Sequence, residues 1–120
     1  MKAVLIVDDE FDARRTIELL FELEGYEVTT AQNGEVALEK IAERKPHLIL
    51  TDWMMPVMDG YELCARVRAN PETKNIPIIM LTAVVSTMLA KEKLWDVLVA
   101  KPASFEELLA LVNEFTSHSE

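Results

Sequence analysis

Residues 4–15 read VLIVDDEFDARR. The uninterrupted apolar run Ala3–Val7 meets three consecutive acids, Asp8, Asp9 and Glu10. A short β-branched run with no polar alternation predicts a strand buried on both faces, the kind found inside parallel sheets. Like charges at its end raise one another's pKa unless a cation joins them. The stretch therefore predicts both a buried parallel strand and a use for negative charge where that strand stops.

Working outward, apolar runs and amphipathic stretches alternate along the chain. Residues 10 to 24 place Ala13, Ile17, Leu20 and Phe21 at helical spacing, with Gly25 as the cap. Tyr26 to Ala31 is a more polar strand, as at a sheet edge. Asn33-Gly34 is a turn, Glu35 to Arg44 a helix, and Pro46 its break. Leu48 to Thr51 is a buried strand ending at Asp52, followed by a loop with Pro56 and Asp59-Gly60 and a helix over 60–69. Asn70 to Pro77 connects to the strand Ile78 to Leu81, which ends at Thr82. Residues 86–95 are helix-prone, and Val97 to Ala100 is a fifth strand ending at Lys101-Pro102. Ser104-Phe105-Glu106-Glu107 is a capping box that starts the last helix, and 116–120 reads as a frayed polar tail. The order βαβαβαβαβα predicts an α/β, doubly wound, five-stranded parallel sheet in one domain, residues 1–120.

Composition narrows the function. Half of the 120 residues are hydrophobic and 28% are charged, a globular mix. The net charge of −9 disfavours direct binding to nucleic acid or an anionic membrane and suits divalent cations and basic protein partners. No run is long enough to span a bilayer, and the start is too soon acidic for a signal peptide, so a cytoplasmic setting is expected. Cys64 is the single cysteine, expected as a buried structural thiol. Arg14 and Arg15 are expected to face solvent, Trp95 to be a core or interface anchor with partial exposure, and Met54, Met55 and Met58 to fill the core or loop. His47 and His118 carry no assigned role.

In an open α/β sheet ligands bind beyond the carboxyl ends of the strands. Those ends carry Asp8, Asp9, Asp52, Thr82 and Lys101. Oxygen ligands alone select a hard ion such as Mg²⁺, which favours phosphate as a further ligand. A carboxylate can attack phosphorus and form an aspartyl phosphate. Lys101 is a point charge suited to an anion, and Thr82 offers a hydroxyl.

Val-Asp-Asp-Glu (7–10), Asp-Trp-Met-Met-Pro-Val-Met-Asp-Gly (52–60), Leu-Thr-Ala (81–83) and Lys-Pro (101–102) together resemble the receiver domain of bacterial two-component response regulators. The resemblance covers essentially the whole chain and implies the flavodoxin-like strand order 2-1-3-4-5. It implies Asp52 as phosphoacceptor and Mg²⁺ held by Asp9, by Asp8 mainly through water, by Asp52 and by the Met54 carbonyl. Lys101 would pair with the phosphoryl group, a cis bond to Pro102 holding the lysine in position, and Thr82 would move toward that group after phosphorylation. Pro56 and Gly60 would shape the loop after the acceptor. The donor would be a sensor histidine kinase or a histidine phosphotransfer protein, and the output a downstream protein or a homodimer through the fourth helix, fifth strand and fifth helix.

The chain departs from the family in two places. Leu98 stands three positions before Lys101, where the family usually has an aromatic switch residue. The segment between Thr82 and Lys101 is a few residues short, with Leu94-Trp95-Asp96 in place of Gly-Ala-Asp, which implies a shortened or displaced fourth helix. Intact phosphorylation chemistry with an unusual output is the leading expectation. Two alternatives stand beside it. One is a degenerate receiver that binds partners without phosphorylation. The other is a Mg²⁺-dependent aspartyl phosphatase, which would need a second acid where Met54 stands.

Overall fold

The computed structural model describes residues 1–83 and 92–117. Its elements are β1 (Ala3–Val7), α1 (Phe11–Leu23), β2 (Glu27–Ala31), α2 (Gly34–Glu43), β3 (Leu48–Asp52), α3 (Gly60–Ala69), β4 (Ile78–Thr82), β5 (Val97–Ala100) and α4 (Phe105–Thr116). The sheet runs β2-β1-β3-β4-β5 with every pairing parallel, the order the resemblance implies. The polar strand β2 lies at the edge, as expected.

The apolar runs explain the two layers. Successive side chains of a strand point to opposite faces, so a strand buried on both sides divides its residues between two cores. Leu5, Val7, Ile49, Ile78 and Met80 pack against Ala37 and Ile41 of α2 and Leu63, Cys64 and Val67 of α3. Val4, Ile6, Leu48, Leu50, Ile79 and Leu81 pack against Phe21 of α1 and Leu108 and Val112 of α4. Registers Val7↔Thr51, Asp52↔Leu81 and Thr82↔Ala100 bring the carboxyl ends of the central strands level.

Helix ends follow local chemistry. Asn33 accepts the Val36 N–H, Asp59 the Glu62 N–H and Ser104 the Glu107 N–H, each as an N-cap. Gly25, at φ +92°, closes α1 in the left-handed region where other residues strain. Two expectations need correction. Thr116 is not part of a frayed tail: it ends α4 buried, its hydroxyl donating to the Val112 carbonyl and lying 3.3 Å from the Tyr26 hydroxyl. The Tyr26 hydroxyl also bonds Asn113, so an aromatic ring from the start of β2 pins the helix end. The expected polar tail over 118–120, with His118, lies outside the described residues.

The second correction concerns the helix expected over 86–95. Residues 84–91 lie outside the described residues, and with them most of that helix, one part of the expected dimer face. Over 92–95 the backbone is not helical. The Leu94 carbonyl is taken by Arg68 Nε at 2.8 Å instead of by a helical N–H. Asp96 pairs with the start of β4, donating its N–H to the Ile78 carbonyl and accepting the Ile78 N–H at Oδ2. The same Arg68 guanidinium donates to the carbonyls of Lys74 and Ile76 and to Asp96 Oδ2. Trp95 is buried, not partly exposed, with its ring edge-on to Trp53.

Candidate functional site

The strand ends meet as the sequence pattern predicts. Asp8 follows β1, Asp52 ends β3, Thr82 ends β4 and Lys101 follows β5. Lys101 Nζ lies 2.6 Å from Asp52 Oδ1. The Lys101 N–H donates to the Thr82 carbonyl, which seats the lysine beside the end of β4. The Lys101–Pro102 bond is cis, as the resemblance implies. Asp8, Asp9 and Asp52 each offer a carboxylate oxygen, all within 4.8 Å of one another. Asp8, Asp52 and Thr82 are buried, while Asp9 opens to solvent.

Asp52 is 3% exposed. Burial first, and then the hydrogen bond to Asp8, push its carboxyl from 3.8 up to about 7; the Lys101 ammonium pulls the other way. Among the described residues Asp52 Oδ1 is buried with no hydrogen-bond partner. The Lys101 contact at 2.6 Å is thus an ion pair without hydrogen-bond alignment. A buried acceptor with no aligned donor, inside three converging carboxylates, fits a hard divalent cation of the Mg²⁺ type.

The loop after Asp52 is built around close approaches. Trp53 donates its N–H to the Leu81 carbonyl and accepts the Gly60 N–H, and the Gly34 N–H donates to the Met58 carbonyl. A Cβ at Gly60 would collide with the Asp52 carbonyl, so only glycine lets α3 start this close to Asp52. The Thr51 hydroxyl donates to that same carbonyl at 2.9 Å. Val57 has φ +71° and is 74% exposed, and the Met58 N–H donates across it to the Pro56 carbonyl at 2.8 Å. This is a three-residue turn at positive φ, a strained conformation for a β-branched residue. Val57→Gly is therefore expected to stabilise the fold by about 1 kcal/mol, after the entropy cost of glycine. Urea unfolding checks this, and a loss of stability would show that the Val57 side chain supports the loop.

Other expectations divide. Met58 is buried and Met55 half-buried, but Met54 is 71% exposed and carries no acid, so it offers no side-chain proton donor. Cys64 is buried and its thiol is pushed up to about 12 by burial, the inert structural thiol expected. His47 takes a role the sequence did not suggest: its Nδ1 accepts the Ala3 N–H at the start of β1. Arg15 faces solvent and pairs with Glu18. Arg14 does not face solvent alone: it is half-buried and its Nη1 donates to the Asp8 carbonyl at 2.7 Å. The signal for this contact was the helical side-chain direction, which points back toward the helix start.

Beside Asp52 an open cavity of about 480 Å³ runs between Asp8, Ile17, Leu81, Lys101 and Leu108. A larger one, about 610 Å³, opens at the other end of the sheet by His47 and Pro77, away from the strand ends that carry the carboxylates and the lysine. Among the described residues no helix is long and apolar enough to cross a membrane.

Comparison with known proteins agrees with this geometry. Residues 4–113 match the family described as the response regulator receiver domain. The chain is 49% identical over 82 residues to the phosphate regulon transcriptional regulatory protein PhoB of Pseudomonas aeruginosa, covering 68% of this chain and 36% of that one. It spans about a third to a half of the length of the curated relatives it first matches. Among solved structures, a putative response regulator from Chloroflexus aurantiacus superposes with a TM-score of 0.89 at 38% identity, over 98% of both chains. The response regulator TrrA of Thermotoga maritima, in complex with Mg²⁺-BeF, superposes at 0.83 and 35% identity, over 96% of this chain and 99% of that one.

Proposed function

The chain belongs to the response regulator receiver domain family, and from that premise we propose that residues 1–120 form one receiver that accepts a phosphoryl group on Asp52. The observation that carries the reading is the meeting of Lys101 and Asp52 at 2.6 Å inside the Asp8–Asp9–Asp52 cluster. The donor is a phosphohistidine of a sensor histidine kinase or a phosphotransfer protein. An oxygen of Asp52 attacks phosphorus, the P–N bond breaks and the imidazole leaves with the electron pair. Lys101 pairs with the phosphoryl oxygens as their charge leaves the donor. Thr82 supplies a hydroxyl to the bound group. Asp9, Asp52 and the Met54 carbonyl would hold Mg²⁺, with Asp8 mainly through water, and the ion would supply positive charge to the transferred oxygens.

The protein is then a signalling phosphoacceptor. Met54, in the place where an aspartyl phosphatase would need its acid, supports that reading over turnover of a phosphomonoester. With a net charge of −9 the chain acts on a protein target rather than on nucleic acid, in the cytoplasm. Leu98 is half-buried and packs against the α2–α3 core, so output proceeds without an aromatic ring turning inward at that position.

Incubation with Mg²⁺ and acetyl phosphate, followed by intact mass, tests the reading. One phosphoryl group is expected on the wild type and none on Asp52→Ala or in excess chelator. No gain from either acetyl phosphate or a phosphorylated histidine kinase would move the protein to the phosphorylation-independent class.

A further inference from the structure

Asp8 is held at three points. Its N–H donates to the Ala31 carbonyl, its Oδ1 accepts the Glu10 N–H and its carbonyl accepts Arg14 Nη1 at 2.7 Å. The first is backbone to backbone and the second needs only the Asp8 carboxylate itself. The third depends on one side chain reaching back six residues. The carbonyl that Arg14 holds belongs to the peptide joining Asp8 to Asp9, so its direction sets how Asp9 follows Asp8. The Arg14 guanidinium is itself steadied by the ring of Phe11, with its carbon 5.5 Å from the ring centroid, within cation–π range. Phe11 is 64% exposed, and this contact gives an exposed aromatic at the start of α1 a use.

We propose that Arg14 is a positioning residue of the acidic pocket: by binding the Asp8 carbonyl it orients the Asp8–Asp9 peptide so that both carboxylates converge with Asp52. The inference rests on the reading of this pocket as a Mg²⁺ and phosphoryl site. Electrostatics alone argues in the opposite sense. Removing a positive charge near three carboxylates should strengthen cation binding. Removing a group that orients metal ligands weakens it, typically by tenfold or more. The sign of the effect therefore separates the two roles.

The experiment is a Mg²⁺ titration followed by the fluorescence of Trp53, which directly follows Asp52, on the wild type, Arg14→Met, Arg14→Lys and Arg15→Met. Arg15, one residue on, loses the same charge from the same helix but pairs only with Glu18 in the contacts described. Arg14→Met is expected to bind Mg²⁺ about tenfold more weakly. Arg14→Lys should recover part of that loss through its single ammonium, and Arg15→Met should bind as well as the wild type or slightly better. Amide exchange of the metal-free proteins gives a second readout. Asp8 and Glu10 should exchange faster in Arg14→Met, because the bonds from their N–H groups to Ala31 and to Asp8 Oδ1 loosen. Unchanged or tighter Mg²⁺ binding by Arg14→Met, or unchanged exchange at Asp8 and Glu10, overturns the proposal. If the wild type itself fails to bind Mg²⁺, the reading of the pocket fails, and the exchange data alone decide whether Arg14 orders the turn.

Discussion

Asp52→Asn stabilises the metal-free protein at pH 8 and loses its advantage as the pH falls toward 4. The cause is the carboxyl held up at about 7 against an ordinary 3.8 by burial and by Asp8. Between those values the folded state keeps the proton on Asp52 while the unfolded chain releases it. Folded protein then binds more protons than unfolded, so stability falls as pH rises through this window. Above pH 7 the full cost of an ionised, buried Asp52 is present; below pH 4 it is gone. Three units correspond to at most about 4 kcal/mol. Asp8 and Lys101 readjust when Asp52 is neutral, so a gain of about 2 kcal/mol, or roughly 8 °C in Tm, is expected at pH 8. Lys101 is 42% exposed and stays solvated when its partner is replaced. Denaturant unfolding at pH 4, 6 and 8 checks this, and a difference that does not change with pH would refute it. Saturating Mg²⁺ should narrow or reverse the gap, because it stabilises the wild type by mass action and the variant less.

Trp95→Ala is expected to cost about 3–5 kcal/mol, a large part of the 5–15 kcal/mol typical of a whole domain. Trp95 is 6% exposed, its ring centroid 5.6 Å from that of Trp53 and 6.5 Å from that of Tyr61. Trp53 and Tyr61 stack in turn at 5.1 Å. Trp53 follows Asp52, and Trp95 leads through Asp96 into β5 and Lys101. The three rings therefore join the strand that carries the carboxylate to the strand that carries its counter-charge. Trp95→Phe should retain most of the stability, since a smaller ring still meets Trp53. Urea titrations of the two variants check the ordering, and a loss below about 1 kcal/mol in Trp95→Ala would mean that the neighbours close over the space. The same contacts bear on Leu98: the aromatic missing from β5 is matched by one in the segment before it.

The sheet and most of the pocket were legible because both depend on strand period and strand ends. Ala3–Val7 and Ile78–Leu81 are apolar at every position and Leu48–Thr51 at all but its last, a pattern that a sheet covered on both faces accommodates. Their next residues, Asp8, Asp52 and Thr82, then stand at or just past the carboxyl ends of parallel strands, on one edge of the sheet. Strand order came from motif resemblance, since periodicity carries no information about neighbours. The helix expected over 86–95 misled at its end because local propensity ignores distant partners. Arg68 takes the Leu94 carbonyl, and the aromatic cluster draws Trp95 inward. Thr116 misled for the same reason, its polar neighbours concealing the Tyr26 hydroxyl that reaches it from the other end of the chain.

By itself the sequence determined the order of the elements among the described residues, the two-sided burial of β1, β3 and β4, and the set of charged and hydroxyl groups at their ends, because each follows from residues adjacent in the chain. Tertiary structure decided the raised carboxyl of Asp52, the reach of Arg14 to the Asp8 carbonyl, the positive φ of Val57 and the burial of Trp95. Each of these depends on how closely groups far apart in sequence, or turned by one bond rotation, are packed together, and it is that packing which sets desolvation and distance.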